Sequence, residues 1–352
     1  MPDWFGSMQQ TYEYYIVDPG TWMDTKMLTN VKSCSITRDL STETLGSATI
    51  DIEEAIGECY IRVYLVTIQN GITEKTPLGT FLVQTPSTSF DGKASSVSMD
   101  AYTPLIELKE NKPPLGYFLL KDDNVMGNAY RLTREHARAP VANTENDKTL
   151  YSDFVAQTDD TWLSYITDLL ANAKYQLSLD EMGRILFMPK QEISSLQPVV
   201  EFDDGNSSIL YPEISLNRDL YGIPNVVEVL YSKNNEHYYA RVVNDDANSL
   251  TSTIARGREI VYRVSDPDLI GNPTNNQIQE YAEQTLKNQS SLECTVTYTH
   301  GYYPVRIGDC VRLNYKRAGM TDIKARIISQ TIKCDPGCPV TEKATFTTKL
   351  WR

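Results

Sequence analysis

From residue 11 onward, apolar and polar residues alternate in short runs. "TYEYYIV" (11–17), "VKSCSITRD" (31–39), "GSATIDIE" (46–53), "YIRVYLVTI" (60–68), "GTFLVQT" (79–85) and "ASSVSMDAY" (94–102) predict six strands, rich in β-branched and aromatic residues. Asn70-Gly71 lies between the fourth and fifth, where two residues that tolerate positive φ favour a tight hairpin. The regular spacing predicts a small barrel or sandwich. Pro113, Pro114 and Gly116 end this pattern.

The next stretch changes period. "NVMGNAYRLTREHA" (124–137) predicts a short helix stopped near Pro140. In "TDDTWLSYITDLLANAKY" (158–175), Trp162, Leu163, Ile166, Leu169, Leu170 and Ala173 share one helical face, and Asp159 and Asp160 stand at its start, where they would cap it or complement its dipole. A hairpin follows, "YQLSL" and "RILFM" around Asp180–Gly183. Strands resume at about 211 with "ILYPEISLNRD", "NVVEVLYSK", "HYYARVVN" and "REIVYRVS". A helix, "NNQIQEYAEQTLKNQ" (275–289), then presents Ile278, Tyr281, Ala282 and Leu286 on the face expected to lie over a barrel.

The end of the chain repeats its beginning in order, not in identity. "SATIDI" (47–52) corresponds to "LECTVTY" (292–298), residues 61–84 to 311–330, and "SSVSMDAYTPL" to "TEKATFTTKLW". Each copy runs from an Arg-bearing strand to a Gly turn, a return strand ending in Gln, and an Asp/Gly turn. The expected fold class is mainly β with an α+β insertion. It comprises a β-barrel or sandwich over 1–110, a helix–hairpin middle domain over 111–210, and a second barrel with one packed helix over 211–352.

Composition narrows the function. The 352 residues carry a net charge of −13, which argues against a surface built to grip phosphates. No apolar run approaches the ~20 residues of a membrane span, and "MPDWFGSMQQ" has neither the basic nor the apolar part of a secretory leader, so synthesis in a cytoplasm is expected. Six cysteines are too sparse for a disulfide scaffold; Cys334 and Cys338 bracket a turn, and with Cys294 and Cys310 they offer a weak zinc-site spacing beside the plainer reading of buried thiols. His136, His237 and His300 lie in no metal or catalytic motif, and there is neither a nucleophile elbow nor a P-loop. "EFDDGNSS" (201–208) lacks the bidentate Glu of a calcium loop and reads as a solvated loop. No catalytic, cofactor or metal residue is therefore assigned, and a non-enzymatic role is expected. The 22 tyrosines suit pleated surfaces and, as a set, a protein interface.

"SLNRDLYGIPNVVEVLYSK" (215–233), "GREIVYRVSDPDLIGNPTNNQIQEYAEQTL" (257–286) and "YYPVRIGDCVRL" (302–313) resemble the second half of bacteriophage tail hub (baseplate hub) proteins. The resemblance rests on Pro224-Asn225-Val226-Val227, on Ala282 and Leu286, and on Gly308-Asp309 with Val311 and Leu313; "VKSCSITRDLSTETLGSATIDI" resembles the opening of such proteins. It implies two tail-tube-like barrels per chain and a homotrimer whose six barrels form a pseudo-sixfold ring between tail tube and tail tip. The implied partners are a distal tail or tail tube protein, a tape measure protein and other tail-tip or baseplate proteins. The genome would pass through the lumen without specific binding, and the site of action would be the virion tail. The chain ends at "FTTKLWR" without the lysin, spike or fibre of some family members, which leaves wall degradation and receptor binding unsupported.

Charge suggests how such barrels alternate. Residues 11–107 hold 13 acids and 6 bases, a balance of −7; residues 295–352 hold 10 bases and 4 acids, a balance of +6. Arg306, Arg312, Lys316 and Arg317, with Lys324 and Arg326, would face Asp51, Glu53 and Glu54, with Asp39, Glu43 and Glu58, of a neighbour. Two other readings are a carbohydrate-binding tail-tip adhesin, which needs Trp and Tyr gathered in a groove, and a peptidoglycan hydrolase, which needs an essential carboxylate. Trp4, Trp22, Trp162 and Trp351 are scattered along the chain.

Overall fold

The computed structural model describes residues 2–54, 56–90, 95–233, 236–267 and 274–349; Trp351 and the 268–273 part of the resemblance lie outside them. The chain divides into two compact units, 1–214 with 297–344, and 215–296 with 345–352. The fold is mainly β, with large antiparallel sheets and few helices.

The first unit begins with β1 (Gln9–Val17), β2 (Asp24–Leu28), β3 (Val31–Asp39), β4 (Gly46–Ile52), β5 (Tyr60–Gln69), β6 (Ile72–Phe90) and β7 (Ser95–Tyr102). All six predicted strands are present; β2, whose residues are mostly polar and exposed, gave no alternation to read. Asn70 (φ 52°) and Gly71 (φ 78°) make the expected turn between β5 and β6. Alternate residues Ile36, Ile50, Ile61, Val63, Leu65 and Met99 have no exposed surface and build one core. β5 is buried on its other face as well: Tyr60 joins a second core with the middle segment, and Arg62 is 1% exposed.

The middle segment holds α1 (Ile106–Glu110), β8 (Phe118–Leu119), α2 (Val125–His136), β9 (Phe154–Val155), α3 (Trp162–Asn172), β10 (Tyr175–Leu179) and β11 (Ile185–Pro189). Asn124 caps α2 by accepting from the Gly127 amide at 2.7 Å. The cap of α3 is Thr161, in a reciprocal box with Ser164, not Asp159 or Asp160; Asp160 instead accepts from the Ser164 hydroxyl at 3.1 Å. The predicted apolar face of α3 is buried, and His136 stacks on Trp162 with ring centres 4.1 Å apart.

β12 (Pro198–Asp203) pairs in parallel with β18 (Cys310–Asn314), so Glu201–Asp203 belong to a strand and only the residues after them form the expected loop. With β13 (Leu210–Arg218), β17 (Ser291–Gly301), β19 (Ile323–Lys333) and β20 (Pro339–Lys349), β12 and β18 join the first seven strands in one 13-stranded sheet. Its neighbour order contains the repeat. β3-β4-β7-β6-β5 in the first half is matched by β13-β17-β20-β19-β18 in the second, and β19 pairs with β3 where the two runs meet. The segments matched in sequence are the strands that occupy equivalent places: β4 and β17, β5 and β18, β6 and β19, β7 and β20.

In the second unit, β14 (Val226–Lys233) lies between β15 (Glu236–Val243), antiparallel, and β16 (Val261–Ser265), parallel. After α4 (Thr253–Arg256), α5 (Asn275–Gln289) begins at a Thr274–Gln277 capping box and buries Ile278, Ala282 and Leu286 against Val227, Val229, Ala240 and Val242. The predicted face of α5 is thus correct, but it covers this three-stranded sheet, which the sequence reading counts with the second barrel. Asn225 is fully buried and works as a clip: its side chain donates to the Arg258 carbonyl at 3.0 Å and accepts from the Ile260 amide at 2.7 Å.

Because α5 supplies three of the eight described buried residues of this small core, and Leu286 is fully buried, Leu286→Ala is expected to cost about 2–5 kcal/mol. Hydrogen exchange should show protection lost in residues 215–296 and retained in β3–β7.

Candidate assembly face and the polar network behind it

The Asp180–Gly183 turn between β10 and β11 is where the first unit gathers its buried charge. Arg62 reaches it from β5. Its Nε donates to Thr80 Oγ1 at 2.9 Å, Nη1 to Asp24 Oδ1 at 2.6 Å, and Nη2 to the carbonyls of Met182 (3.1 Å) and Trp22 (3.3 Å). The Trp22 indole donates to the same Met182 carbonyl at 2.7 Å. A guanidinium suits this place because its planar fork supplies several donors in fixed directions. Gly183 has φ +77°, and a Cβ there would lie 2.8 Å from Thr80 and 3.1 Å from Trp22, so only glycine fits the turn without strain.

Glu181, in the same turn, faces two more arginines. Arg306 grips it with both Nε (2.8 Å) and Nη2, and Arg38 Nη2 stands 3.6 Å away. A cavity of about 50 Å³ lies beside them, lined in part by Thr80, Thr103 and Asp180. Arg38 also donates to the Leu78 carbonyl at 2.7 Å and to Gln330 Oε1 at 3.1 Å. Gln330 passes the chain on: its amide donates to Glu342 Oε1 at 2.6 Å and to the Val305 carbonyl at 3.1 Å.

Glu342 is fully buried, accepts a further hydrogen bond from the Tyr298 phenol, and faces His300. His300 Nδ1 donates to the Gly301 carbonyl at 2.6 Å; its Nε2 is 3.3 Å from Glu342 Oε1 but off the line of a hydrogen bond. These contacts supply the donors a buried carboxylate needs. The sequence reading found neither Arg62 nor Glu342 as structural charges. For Arg62 the usable signal is a lone charge in an apolar strand, "YIRVYLVTI"; Glu342, beside Lys343 in the Thr-rich "PVTEKATFTTK", offers none.

The residues proposed from sequence for assembly have varied settings. Arg306 is committed to Glu181. Arg312 Nη1 is 3.1 Å from Asp322, Lys316 is exposed in the turn after β18, and Arg317 lies 3.7 Å from Asp204. Lys324 donates to the Ser194 carbonyl at 3.1 Å, and Arg326 donates to that of Gln191 at 3.5 Å. Among the acids, Asp51 accepts from Ser33, Asp39 caps the turn at Ser41, Glu43 pairs with Lys109 at 2.9 Å, and Glu58 lies 4.0 Å from Arg138; Glu53 and Glu54 are exposed. Gly308-Asp309, part of the family resemblance, forms a turn: Gly308 has φ +93°, and Asp309 Oδ2 accepts from the Arg306 amide at 2.9 Å.

The cysteines of the suggested zinc spacing do not assemble. Cys294 faces Thr348, the Cys310 thiol points to its neighbouring carbonyl, and among the described residues no three His, Cys, Asp or Glu side chains form a metal-sized group. No helix among those residues is long and apolar enough to cross a membrane.

Two expectations follow. Arg62→Ala is expected to destabilise the first unit by about 1–3 kcal/mol, since it removes a buried side chain and the donors to Thr80 and to the Trp22 carbonyl, while Asp24 keeps Tyr64 and the Met182 carbonyl keeps the Trp22 indole. Arg62→Lys should recover little, because an ammonium cannot reproduce the fork. Denaturation followed by tryptophan fluorescence checks both, as Trp22 lies in the contact. Separately, burial pushes the phenols of Tyr12, Tyr14, Tyr60, Tyr165, Tyr298 and Tyr302 above their ordinary value. A raised folded value means the stabilisation is complete below the unfolded value of about 10 and is lost as pH rises above it. Tyrosinate absorbance should therefore show a group of tyrosines that ionise only together with alkaline unfolding.

No protein-family model and no curated protein matches this sequence. Solved structures do share its fold. A tail protein from Neisseria meningitidis MC58 aligns over 97% of this chain and 98% of its own, with a TM-score of 0.60 at 13% identity. The 43 kDa tail protein of prophage MuSo2 from Shewanella oneidensis aligns over 96% and 98%, with a TM-score of 0.60 at 12% identity. A chain of the Francisella PdpA–VgrG complex in its lidded form aligns over 98% of this chain and 53% of its own, with a TM-score of 0.54 at 9% identity. The chain therefore has the fold of phage tail proteins.

Proposed function

We propose that this chain is a structural, non-enzymatic hub subunit of a phage or phage-like tail. Three copies would form a pseudo-sixfold ring that joins the tail tube to the tail tip. The observation that carries the reading is the repeated strand order, β3-β4-β7-β6-β5 and β13-β17-β20-β19-β18. A ring that meets a sixfold tube with three chains needs two similar edges per chain, and an internal duplication provides them. The fold shared with tail proteins along nearly the whole chain supports the same reading.

In such a ring the first barrel of one copy meets the second barrel of the next. The acidic first barrel and basic last segment favour that pairing over like with like. Arg312, Lys316 and Arg317 are the bases for this contact, with Glu53 and Glu54 opposite. Arg306 acts from behind, through Glu181. The remaining neighbours are a tail tube or distal tail protein, a tape measure protein and other tip proteins. A net charge of −13 suits a lumen through which a genome slides without being held.

Light scattering of the purified chain should give a mass three times 39.8 kDa, and particle images should show a ring with six similar lobes. A monomer at every concentration, or a ring of another order, would overturn the hub reading. Reversal of Arg312, Lys316 and Arg317 to Glu should weaken the trimer at low salt, where screening is least. Equal assembly of variant and parent would leave shape and apolar fit to set the order of the barrels.

A further inference from the structure

The junction between the two strand runs carries a pair of cysteines that face each other. β19 pairs antiparallel with β3 through Gln330↔Arg38, Ile332↔Ile36 and Lys333↔Ser35. One residue further, the Cys334 amide donates to the Cys34 carbonyl at 2.9 Å, which sets Cys334 directly opposite Cys34. Both point into the same core as Ile36 and Ile332 and are 9% and 4% exposed. Residues opposite each other at a hydrogen-bonded position of an antiparallel pair have Cα atoms about 5.5 Å apart. That separation lies within the range a disulfide bridges.

We propose that Cys34 and Cys334 form a disulfide when the protein meets a thiol-oxidising milieu, covalently locking β3 to β19. The oxidant class is a small-molecule disulfide, such as oxidised glutathione. The thiolate of one cysteine of the pair attacks one sulfur of the oxidant and releases one thiol. The thiolate of the other then attacks its partner's Sγ in the mixed disulfide and releases the second thiol. The two protein protons end on the two thiols released, so the protein loses two hydrogens and one oxidant is reduced.

The local chemistry selects this pair over Cys334–Cys338. Cys34 stands opposite Cys334 in the strand register, and the neighbouring thiol and burial raise the Cys334 thiol above its ordinary range. Cys338 lies past the turn, where its amide donates to the Asp335 carbonyl at 2.9 Å, and burial pushes its thiol up to about 12. Tyr12 donates to the Asp335 carbonyl at 2.6 Å and so straps the turn between them. Thiols buried this far from solvent meet an oxidant slowly. The pair therefore stays reduced in a cytoplasm and closes only on long exposure, or during folding, under oxidising conditions. The bond would close a loop of about 300 residues across the junction of the duplicated halves.

The test incubates the purified full-length chain with oxidised glutathione, blocks remaining thiols with N-ethylmaleimide after denaturation, and maps peptides without reduction. A second sample is refolded in a glutathione buffer, so that slow access to a buried pair cannot mask the result. Expected are a cross-linked peptide pair carrying Cys34 and Cys334, the loss of two of the six free thiols, and a Tm raised by roughly 3–6 °C and restored by dithiothreitol. The same cross-link should survive in Cys338→Ser and vanish in Cys34→Ala. Six blocked thiols in both samples would overturn the proposal. So would a dominant Cys334–Cys338, Cys34–Cys338 or intermolecular bond.

Discussion

One turn holds the first unit together. Asp180–Gly183 presents a carbonyl, Met182, and a carboxylate, Glu181, to arginines from three distant parts of the chain: Arg62 in β5, Arg38 in β3 and Arg306 before β18. Arg62 is wholly and Arg38 largely withdrawn from water, so both would be costly without their partners, while Arg306 stays half exposed. The arrangement makes the middle hairpin, the first barrel and the loop ahead of β18 mutually dependent. It also requires a glycine at 183, where positive φ and close packing against Thr80 and Trp22 leave no room for a Cβ.

The same charges lead into the second strand run. Arg38 and Gln330 are partners across the β3–β19 pair, and Gln330 continues to Glu342, Tyr298 and His300. The junction of the duplicated halves is therefore a polar seam, with Ile36 and Ile332 and the Cys34–Cys334 pair further along it. A purely apolar seam would tolerate a shift of register by two residues; a fixed row of donors and acceptors penalises it.

Duplication was legible in the sequence because strand order and turn chemistry survive when side chains diverge. Asn70-Gly71, Gly319 and Asp335-Pro336-Gly337 mark turns whose geometry few residues satisfy. The faces of α3 and α5 were legible for a similar reason, since a helix must bury one stripe. What failed was specific. β2 is polar and exposed and has no alternation, and the "EFD" of β12 becomes strand only through its parallel partner β18, more than a hundred residues away. The cap of α3 is Thr161, which makes the reciprocal bond with Ser164, and of the two roles open to the acids before it capping is excluded.

By itself the sequence determined the local elements, the duplicated order of strands, the acidic balance and the lack of any catalytic motif, because these depend on neighbours in the chain and on totals. Only the tertiary structure decided which sheet α5 covers, that Arg306 serves Glu181, that Glu342 is buried with its donors, and that Cys34 rather than Cys338 faces Cys334. Each of these is a pairing between residues tens to hundreds of positions apart. Periodicity says which way a side chain points, but not what stands opposite it; that is set by the register of strands that the fold alone brings together.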